Sequence, residues 1–338
     1  MKKRSIWMTN LRAVATIAVI LLHVSAPILY KYGKVSNTDW HIGNFFDGIV
    51  RWCVPIFFMI TGALLLNEDY KLKVYLKKRF FRIIPPFIFW SLVYILYDHF
   101  TKTNSDTTLF AFLETLLTKL LNGSKFHLWF VYVLLGLYLV IPILRKWIKN
   151  ASRNEILYFL MIWFCTIIFS IPYLKAYIPN INLDYFAGYI GYLVLGYFLS
   201  KIEYNKQLIP FLFIIIGCTI TILGTIYITE KNHKFDNLFY SYLSLNVLLS
   251  STGVFLLFKN TEFRHKHFNK LMTVISDHSY GIYLIHILIL ILLKNIGINW
   301  NTIHPLIGIP FTTCICALIS LLIIFVLRKV KFGNYISG

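Results

Sequence analysis

Apolar stretches long enough to cross a lipid bilayer recur along the whole sequence. An α-helix rises about 1.5 Å per residue, so about 20 apolar residues cross a hydrocarbon core of about 30 Å. Of the 338 residues, 58% are hydrophobic and 14% are charged, which is outside the usual balance of a water-soluble domain. We therefore predict an all-α fold, a polytopic membrane bundle of about ten transmembrane helices. The predicted spans are residues 6–29, 44–66, 83–100, 126–146, 154–173, 183–200, 208–229, 237–258, 273–293 and 303–327.

The basic residues are distributed unevenly between the connections. The formal net charge is +19, and 22 of the 33 Lys and Arg residues lie in alternate connections. The positive-inside rule then predicts a multi-pass protein of the cell (plasma or inner) membrane with both termini in the cytoplasm, as an even number of spans requires. Because the charge follows the topology, we expect contact with membrane lipids and no nucleic-acid partner. The basic connections are residues 2–4, 71–82, 145–153, 201–206, 259–270 and 328–331.

The connections are too short for a separate soluble domain, so residues 1–338 are expected to form a single integral membrane domain. The five cysteines fall inside predicted spans, with neither a zinc-binding spacing nor a disulfide framework. We therefore predict no metal site and treat the thiols as small apolar groups.

Two ionisable residues lie in the first predicted span, LRAVATIAVILLH at residues 11–23. Arg12 and His23 are close to three helical turns apart, so they project from nearly the same face, separated by about 16 Å along the axis. Ionisable groups inside a membrane are costly and usually face the protein interior or a wet cavity. The pair is thus a candidate lining of a route through the bundle. The alternatives are an arginine that extends to lipid phosphates and a histidine that is satisfied in the interior.

The second predicted span carries an acidic and a basic residue in its outer half, at a depth similar to that of His23. Asp47 and Arg51 are four residues apart and can form an ion pair, which lowers the cost of keeping either in the membrane. Pro55 and Gly62 follow and predict a kink or a close helix contact. The pair is either part of a site on the acceptor side of the membrane or a structural ion pair near the interface.

The third predicted span is preceded by a basic segment and interrupted by prolines. Arg79 and Arg82 are three residues apart on one helical face, and Pro85 with Pro86 predicts a break or re-orientation just inside the membrane. Fixed guanidinium groups at the cytoplasmic mouth are suited to bidentate phosphate binding. The same segment is also typical of a lipid-facing topological signal.

One histidine of the ninth predicted span lies past the midplane. His286 is expected at a depth close to that of His23, either in a site or as a hydrogen-bonded interior histidine. Most of the other polar residues near the outer ends of spans are expected to be ordinary interfacial groups; these residues are Asp98, His99, His127, Asp184, Asp236 and His304.

Taken in order, these motifs resemble the acyltransferase 3 family. The resemblance consists of Arg12 and His23 with ten residues between them, VPIFFMITGALLL at 54–66, the Arg79 and Arg82 pair, and SYGIYLIH at 279–286. It covers essentially the whole chain. The second-span pattern is most similar to the stand-alone polysaccharide O-acetyltransferases of bacteria.

The resemblance implies a membrane O-acyltransferase that moves an acyl group, often acetyl, from cytoplasmic acyl-CoA to a hydroxyl group. The acceptor would be an extracytoplasmic glycan or a lipid-linked sugar, and acetyl-CoA would be a donor substrate, with no cofactor bound permanently. His23 would match the essential histidine of the first span, with Arg12 as its motif partner. Arg79 and Arg82 would match the basic pair associated with the donor, and His286 the histidine of the ninth-span motif.

Such chemistry needs a general base for the acceptor hydroxyl, and His23 is the candidate in the best position. Direct transfer and a covalent acyl-histidine relay both fit these residues. A polysaccharide or solute transporter, in which His23 carries protons or contacts sugar, is the alternative function. A membrane partner of another enzyme is a third. Four aromatic residues are candidates for sugar stacking or for interface anchoring, namely Trp40, Trp52, Trp129 and Tyr132.

Overall fold

The computed structural model describes residues 5–102, 108–172, 188–204 and 206–338, and these residues form helices and connections without strands. We number the α-helices in chain order. They are α1 (Ile6–Leu29), α2 (Asn37–Gly48), α3 (Cys53–Leu65), α4 (Leu72–Lys102), α5 (Leu109–Asn122), α6 (Trp129–Asn150), α7 (Arg153–Phe169), α8 (Ile190–Lys201), α9 (Leu208–Asn232), α10 (Leu245–Lys259), α11 (Lys266–Asn295), α12 (Pro305–Leu327) and α13 (Asn334–Ser337).

The all-α polytopic fold is confirmed. Within the described residues, eight helical stretches are long and apolar enough to cross a membrane, and each overlaps one of the ten predicted spans. The remaining two predicted spans, 154–173 and 183–200, overlap α7 of 17 residues and α8 of 12 residues. Residue 173 and residues 183–187 lie outside the described part of the chain.

Helix α1 lies inside the bundle and contacts α2, α3, α10, α11 and α12. Its small residues Ala13 and Ala15 are fully buried, which permits neighbouring backbones to approach closely. Asn10 Nδ2 donates a hydrogen bond to Asn269 Oδ1 at 2.8 Å, which joins α1 to α11. The central helix thus presents Arg12 and His23 to the interior of the protein. We refer to the end of the bundle where α1 begins as the near end, and to the opposite end as the far end.

The second predicted span is broken and closely packed, as Pro55 and Gly62 predict. Helix α2 ends at Gly48, and α3 begins at Cys53 after a turn. A Cβ atom added at Gly62 would lie 1.9 Å from the carbonyl oxygen of Leu193 in α8. The glycine therefore permits direct backbone contact between α3 and α8.

Of the two outcomes predicted at Pro85 and Pro86, the break is wrong, because α4 is continuous from Leu72 to Lys102; a re-orientation within the helix stays a prediction. Each proline removes one backbone donor, a loss that neighbouring helices compensate in membrane proteins. Two bonds hold α4 on either side of the prolines. The Tyr280 hydroxyl donates to the Ile83 carbonyl at 2.9 Å, and Trp90 Nε1 donates to the Ile336 carbonyl at 2.9 Å.

Candidate active site

A cavity of about 300 Å³, which we call the first cavity, runs inside the bundle between α1, α3, α4, α6 and α11. Arg12 and His23 both line it, so the prediction that they share one inward face is confirmed. Their spacing on α1 gives the cavity a basic part toward the near end and a histidine-containing part deeper in the bundle. The polar and aromatic lining residues are Arg12, His23, Thr61, Glu68, Arg79, Arg82, His127, Trp129, Tyr138, Tyr242, Ser279, Tyr280 and Tyr283.

The basic part brings together the three predicted arginines. Arg12, Arg79 and Arg82 all line the first cavity, and Tyr138 lines it with them. The Arg79 guanidinium lies 6.0 Å from the ring centroids of both Tyr75 and Tyr138. Guanidinium groups held in this way can bind phosphate through paired hydrogen bonds.

The loop between α3 and α4 carries Glu68, which lines the first cavity. The last turns of α6 hold this loop in place. Buried Arg145 donates to the backbone carbonyls of Glu68 at 3.1 Å and Tyr70 at 3.0 Å. Lys149 donates to the carboxylate of Asp69, and this bond lowers the pKa of Asp69. The loop is thus fixed in position through its backbone.

Three histidines meet in the deeper part of the site. The ring centroids of His23 and His286 are 5.2 Å apart, those of His127 and His286 are also 5.2 Å apart, and those of His23 and His127 are 6.4 Å apart. The three rings come from α1, from α11 and from the short 3₁₀ helix Phe126–Leu128 before α6. The similar depth predicted for His23 and His286 is confirmed.

The hydrogen bonds of His286 define its tautomer. Its Nδ1 lies 2.6 Å from the carbonyl oxygen of Tyr283, and a carbonyl can only accept, so the hydrogen is on Nδ1. In the neutral ring Nε2 is then an acceptor, and Nε2 has no hydrogen-bond partner among the described residues. Fully buried, His286 therefore offers a free acceptor beside His23.

His127 does not have the interfacial role expected for most of its group. Its side chain is 1% exposed, its ring lines the first cavity, and its backbone carbonyl accepts a hydrogen bond from the Tyr283 hydroxyl. Asp98 is also buried, where it pairs with Lys125 at 2.8 Å. Of the other residues expected at the interface, His304 is exposed, and Asp184 lies outside the described residues. The sequence indicates only that His127 stands at the start of a predicted span, at its outer end.

The predicted ion pair of Asp47 and Arg51 is confirmed at 2.5 Å. Asp47 is fully buried, and the Arg51 guanidinium lies over the rings of Tyr240 at 4.0 Å and Tyr242 at 5.8 Å. Tyr242 lines the first cavity, whereas Arg51 and Tyr240 line a second cavity of about 340 Å³. Arg51 thus separates the two cavities.

Of the four aromatic candidates for sugar stacking, Trp129 lines the first cavity. The indole nitrogens of Trp40 and Trp52 donate to the backbone carbonyls of Leu29 and Ile49. These hydrogen bonds give both side chains a structural role.

Comparisons with known proteins agree with this architecture. Residues 5–326 match the model of the acyltransferase 3 family, described as an acyltransferase domain. The chain belongs to the acyltransferase 3 family. It is 24% identical over 346 residues to a protein of Bacillus subtilis (strain 168) named "Putative membrane-bound acyltransferase YfiQ", covering 97% of this chain and 92% of that protein. No solved structure matches the chain.

This acyltransferase 3 chain is a multi-pass membrane acyltransferase. Its fold gathers the residues predicted from the family motifs. Arg12, His23, Arg79 and Arg82 line one cavity, and His286 lies beside His23. The individual roles of these residues in an acyltransferase reaction stay predictions.

Proposed function

We propose that the chain transfers an acetyl group from acetyl-CoA to a hydroxyl group of a glycan on the outer side of the cell membrane. The observation that carries the proposal is the continuity of the first cavity, in which Arg12, Arg79 and Arg82 lead to His23 and His127. The phosphates of CoA are polyanionic and suit the arginines, while the thioester extends toward the imidazoles.

The orientation follows from the distribution of charge. The basic connections alternate along the chain, and the positive-inside rule assigns them to the cytoplasm together with both termini and the near end, where α1 begins. Acyl-CoA then enters the first cavity from the cytoplasm, and the acceptor approaches His23 from the far end.

In the reaction, His23 removes the proton of the acceptor hydroxyl while the oxygen attacks the thioester carbonyl. The carbon–sulfur bond breaks, the acyl group remains on the acceptor oxygen, and the CoA sulfur takes the proton from the imidazolium. An acyl-histidine relay fits the same residues: a His23 nitrogen attacks the thioester carbonyl and CoA leaves as a thiolate, and the acceptor oxygen then attacks the acyl-imidazole while its proton passes to the thiolate, which restores His23.

The two neighbouring histidines have distinct parts in this proposal. His286 Nε2 has no partner among the described residues and is the acceptor available to the N–H of His23, an arrangement that leaves the other ring nitrogen of His23 for the hydroxyl. His127 lines the cavity beside His23 and is suited to donate a hydrogen bond to the oxyanion that develops on the thioester carbonyl.

The test uses purified protein in lipid vesicles with radiolabelled acetyl-CoA and a panel of free and undecaprenyl-linked glycans. We expect label on a glycan with the parent protein, loss of transfer with His23→Ala, and transfer that Arg82→Ala weakens at low acetyl-CoA concentration. If no member of the panel is acetylated and the vesicles instead show a net solute flux that both variants retain, the chain is a transporter and the proposal is wrong.

A further inference from the structure

Two cavities outside the donor route meet near the far end of the bundle. The second cavity, of about 340 Å³, is lined by Ala26, Leu29, Tyr30, Arg51, Phe235, Asn237, Tyr240 and Ser241. A third cavity, of about 860 Å³, lies between α7, α8, α9 and α10. Ser241 lines both, and the short 3₁₀ helix Leu238–Tyr240 contributes to both walls. The two spaces are therefore neighbours that share one wall.

The third cavity is apolar and extends to the membrane-facing surface. Its lining is dominated by leucine, isoleucine, phenylalanine and tryptophan side chains. Phe164 of α7 and Ile220 of α9 line it and are 43% and 42% exposed, although each lies within an apolar helix. On a membrane protein such exposure is exposure to lipid. Its volume is in the range of cavities that hold whole ligands.

The second cavity is polar, and its charge is neutralised internally. Arg51 is paired with fully buried Asp47, so the wall presents an ion pair and no net charge. Tyr30, Asn237, Tyr240 and Ser241 add hydroxyl and amide groups. This lining suits an uncharged, hydroxyl-rich group better than a phosphate.

The second cavity also lies close to the histidine cluster along α1. Ala26 lines it, and His23 lies three residues earlier on the same helix, about 4.5 Å along the axis. Tyr242 lines the first cavity and contacts Arg51, which lines the second. A hydroxyl group in the second cavity is thus one side-chain layer from the proposed reaction centre.

We infer that the acceptor is a lipid-linked sugar, whose apolar chain occupies the third cavity while its hydroxyl-bearing headgroup occupies the second. This inference rests on the proposed function for the direction of transfer, and on the two adjoining cavities for the class of acceptor. A free polysaccharide has no part that would use the apolar space, whereas an amphiphile fills both.

The experiment uses protein in nanodiscs and hexadecyl β-D-glucopyranoside with a diazirine at the end of its chain as the probe. We expect photolabelled peptides from α8 and α10, near Leu195 and Leu248. Unlabelled hexadecyl glucoside is expected to compete, and methyl glucoside or a phosphatidylcholine is not. Leu248→Trp fills the cavity and is expected to reduce labelling by about tenfold, or about 1.4 kcal/mol of binding. The matched control is Leu223→Trp on the lipid-facing side of α9, where the leucine is 59% exposed; this variant should leave labelling unchanged.

Labelling that spreads evenly over lipid-facing helices, that phosphatidylcholine displaces equally well or that Leu248→Trp leaves intact would overturn the inference. The same preparation is then given acetyl-CoA and either lipid-linked or free glycans. If labelling is specific but no glycan is acetylated, the lipid-binding site is supported and the proposed acetyl transfer is wrong. If free and lipid-linked glycans are acetylated equally and labelling is nonspecific, the acetyl transfer is supported and the lipid-binding site is wrong.

Discussion

His127 is held in the site through both its backbone and its ring. Its carbonyl accepts from Tyr283, and the edge of its ring contacts Tyr94 and His286, with centroids 5.5 and 5.2 Å away. A buried imidazole held by several contacts is preorganised, which is what stabilisation of a developing charge requires.

Replacement of His127 is therefore expected to slow the transfer step. His127→Asn should lower kcat by about 100-fold, the usual cost of losing an oxyanion donor, while the Kd for acetyl-CoA stays the same. Radiolabel transfer at saturating substrate and equilibrium binding of acetyl-CoA measure the two quantities. His41→Asn, on the exposed surface of α2, is the control. If the His127→Asn variant keeps the full kcat, the ring does not stabilise the oxyanion and only contributes to packing.

Arg82 gives a second prediction at this scale, because it lies in the basic part of the first cavity. Arg82→Gln removes a charged hydrogen bond worth about 1.5–3 kcal/mol, so the KM for acetyl-CoA should rise by about 10- to 100-fold with little change in kcat. Lys77→Gln removes the same charge from an exposed position of α4 and should leave the KM unchanged. Equal effects of the two substitutions would indicate general attraction of the anion in place of a specific contact.

The sequence predicts which residues form the site better than it predicts which of them contact each other across different helices. Arg12 and His23 share a face because helical geometry fixes their spacing, and Asp47 pairs with Arg51 for the same reason. The approach of His127 to His286 could not be predicted, since it depends on the packing of α11 against the start of α6. Tertiary contacts of this kind have no local sequence signal.

At the level of helices, the contact between α3 and α8 depends on glycine. We expect Gly62→Ala to lower the free energy of unfolding by about 2 kcal/mol or more, because the new methyl group would overlap the Leu193 carbonyl. Thermal unfolding in detergent measures the change. Gly136→Ala on α6 meets open space and should be neutral or stabilising by about 0.5 kcal/mol. Similar destabilisation by both changes would show that loss of glycine itself, and not the contact, matters.

The loop between α3 and α4, which α6 holds in place, gives another prediction. Arg145→Gln removes the two donors to Glu68 and Tyr70 and the cation–π contact with the Tyr70 ring at 4.3 Å. The loop should then lose its position beside the arginines, and the KM for acetyl-CoA should rise by about tenfold. Lys146→Gln, at the next position on α6 but exposed, is the control. An unchanged KM would mean that the loop takes no part in donor binding.

The element-scale predictions differ in their success for physical reasons. Long apolar runs predict spans well, because length and hydropathy set what can cross a bilayer. The prolines of α4 predict a break from local chemistry, yet bonds from Tyr280 and Trp90 hold the helix on both sides. Local propensity is thus overridden by the packing of the helix against its neighbours.

For the whole molecule, the distribution of charge predicts one orientation in the membrane. A cysteine introduced at Lys234, between α9 and α10, should react with a membrane-impermeant maleimide in intact cells. One introduced at Glu262, between α10 and α11, should react only after lysis, because basic connections stay in the cytoplasm. The unsubstituted protein serves as the control, because it measures the maleimide labelling of the chain's own five cysteines. The reverse pattern would invert the proposed entry of donor and acceptor.

The measurement that bears most directly on the transfer mechanism uses vesicles of known orientation, with acetyl-CoA supplied on one side and glycan on the other. We expect acetylated glycan when acetyl-CoA faces the near end of α1, and none when it faces the far end. We expect His23→Ala to abolish this product while it binds acetyl-CoA with the Kd of the parent. Undiminished transfer by His23→Ala, or equal transfer from either side, would contradict a reaction at the histidine cluster between two opposed entrances.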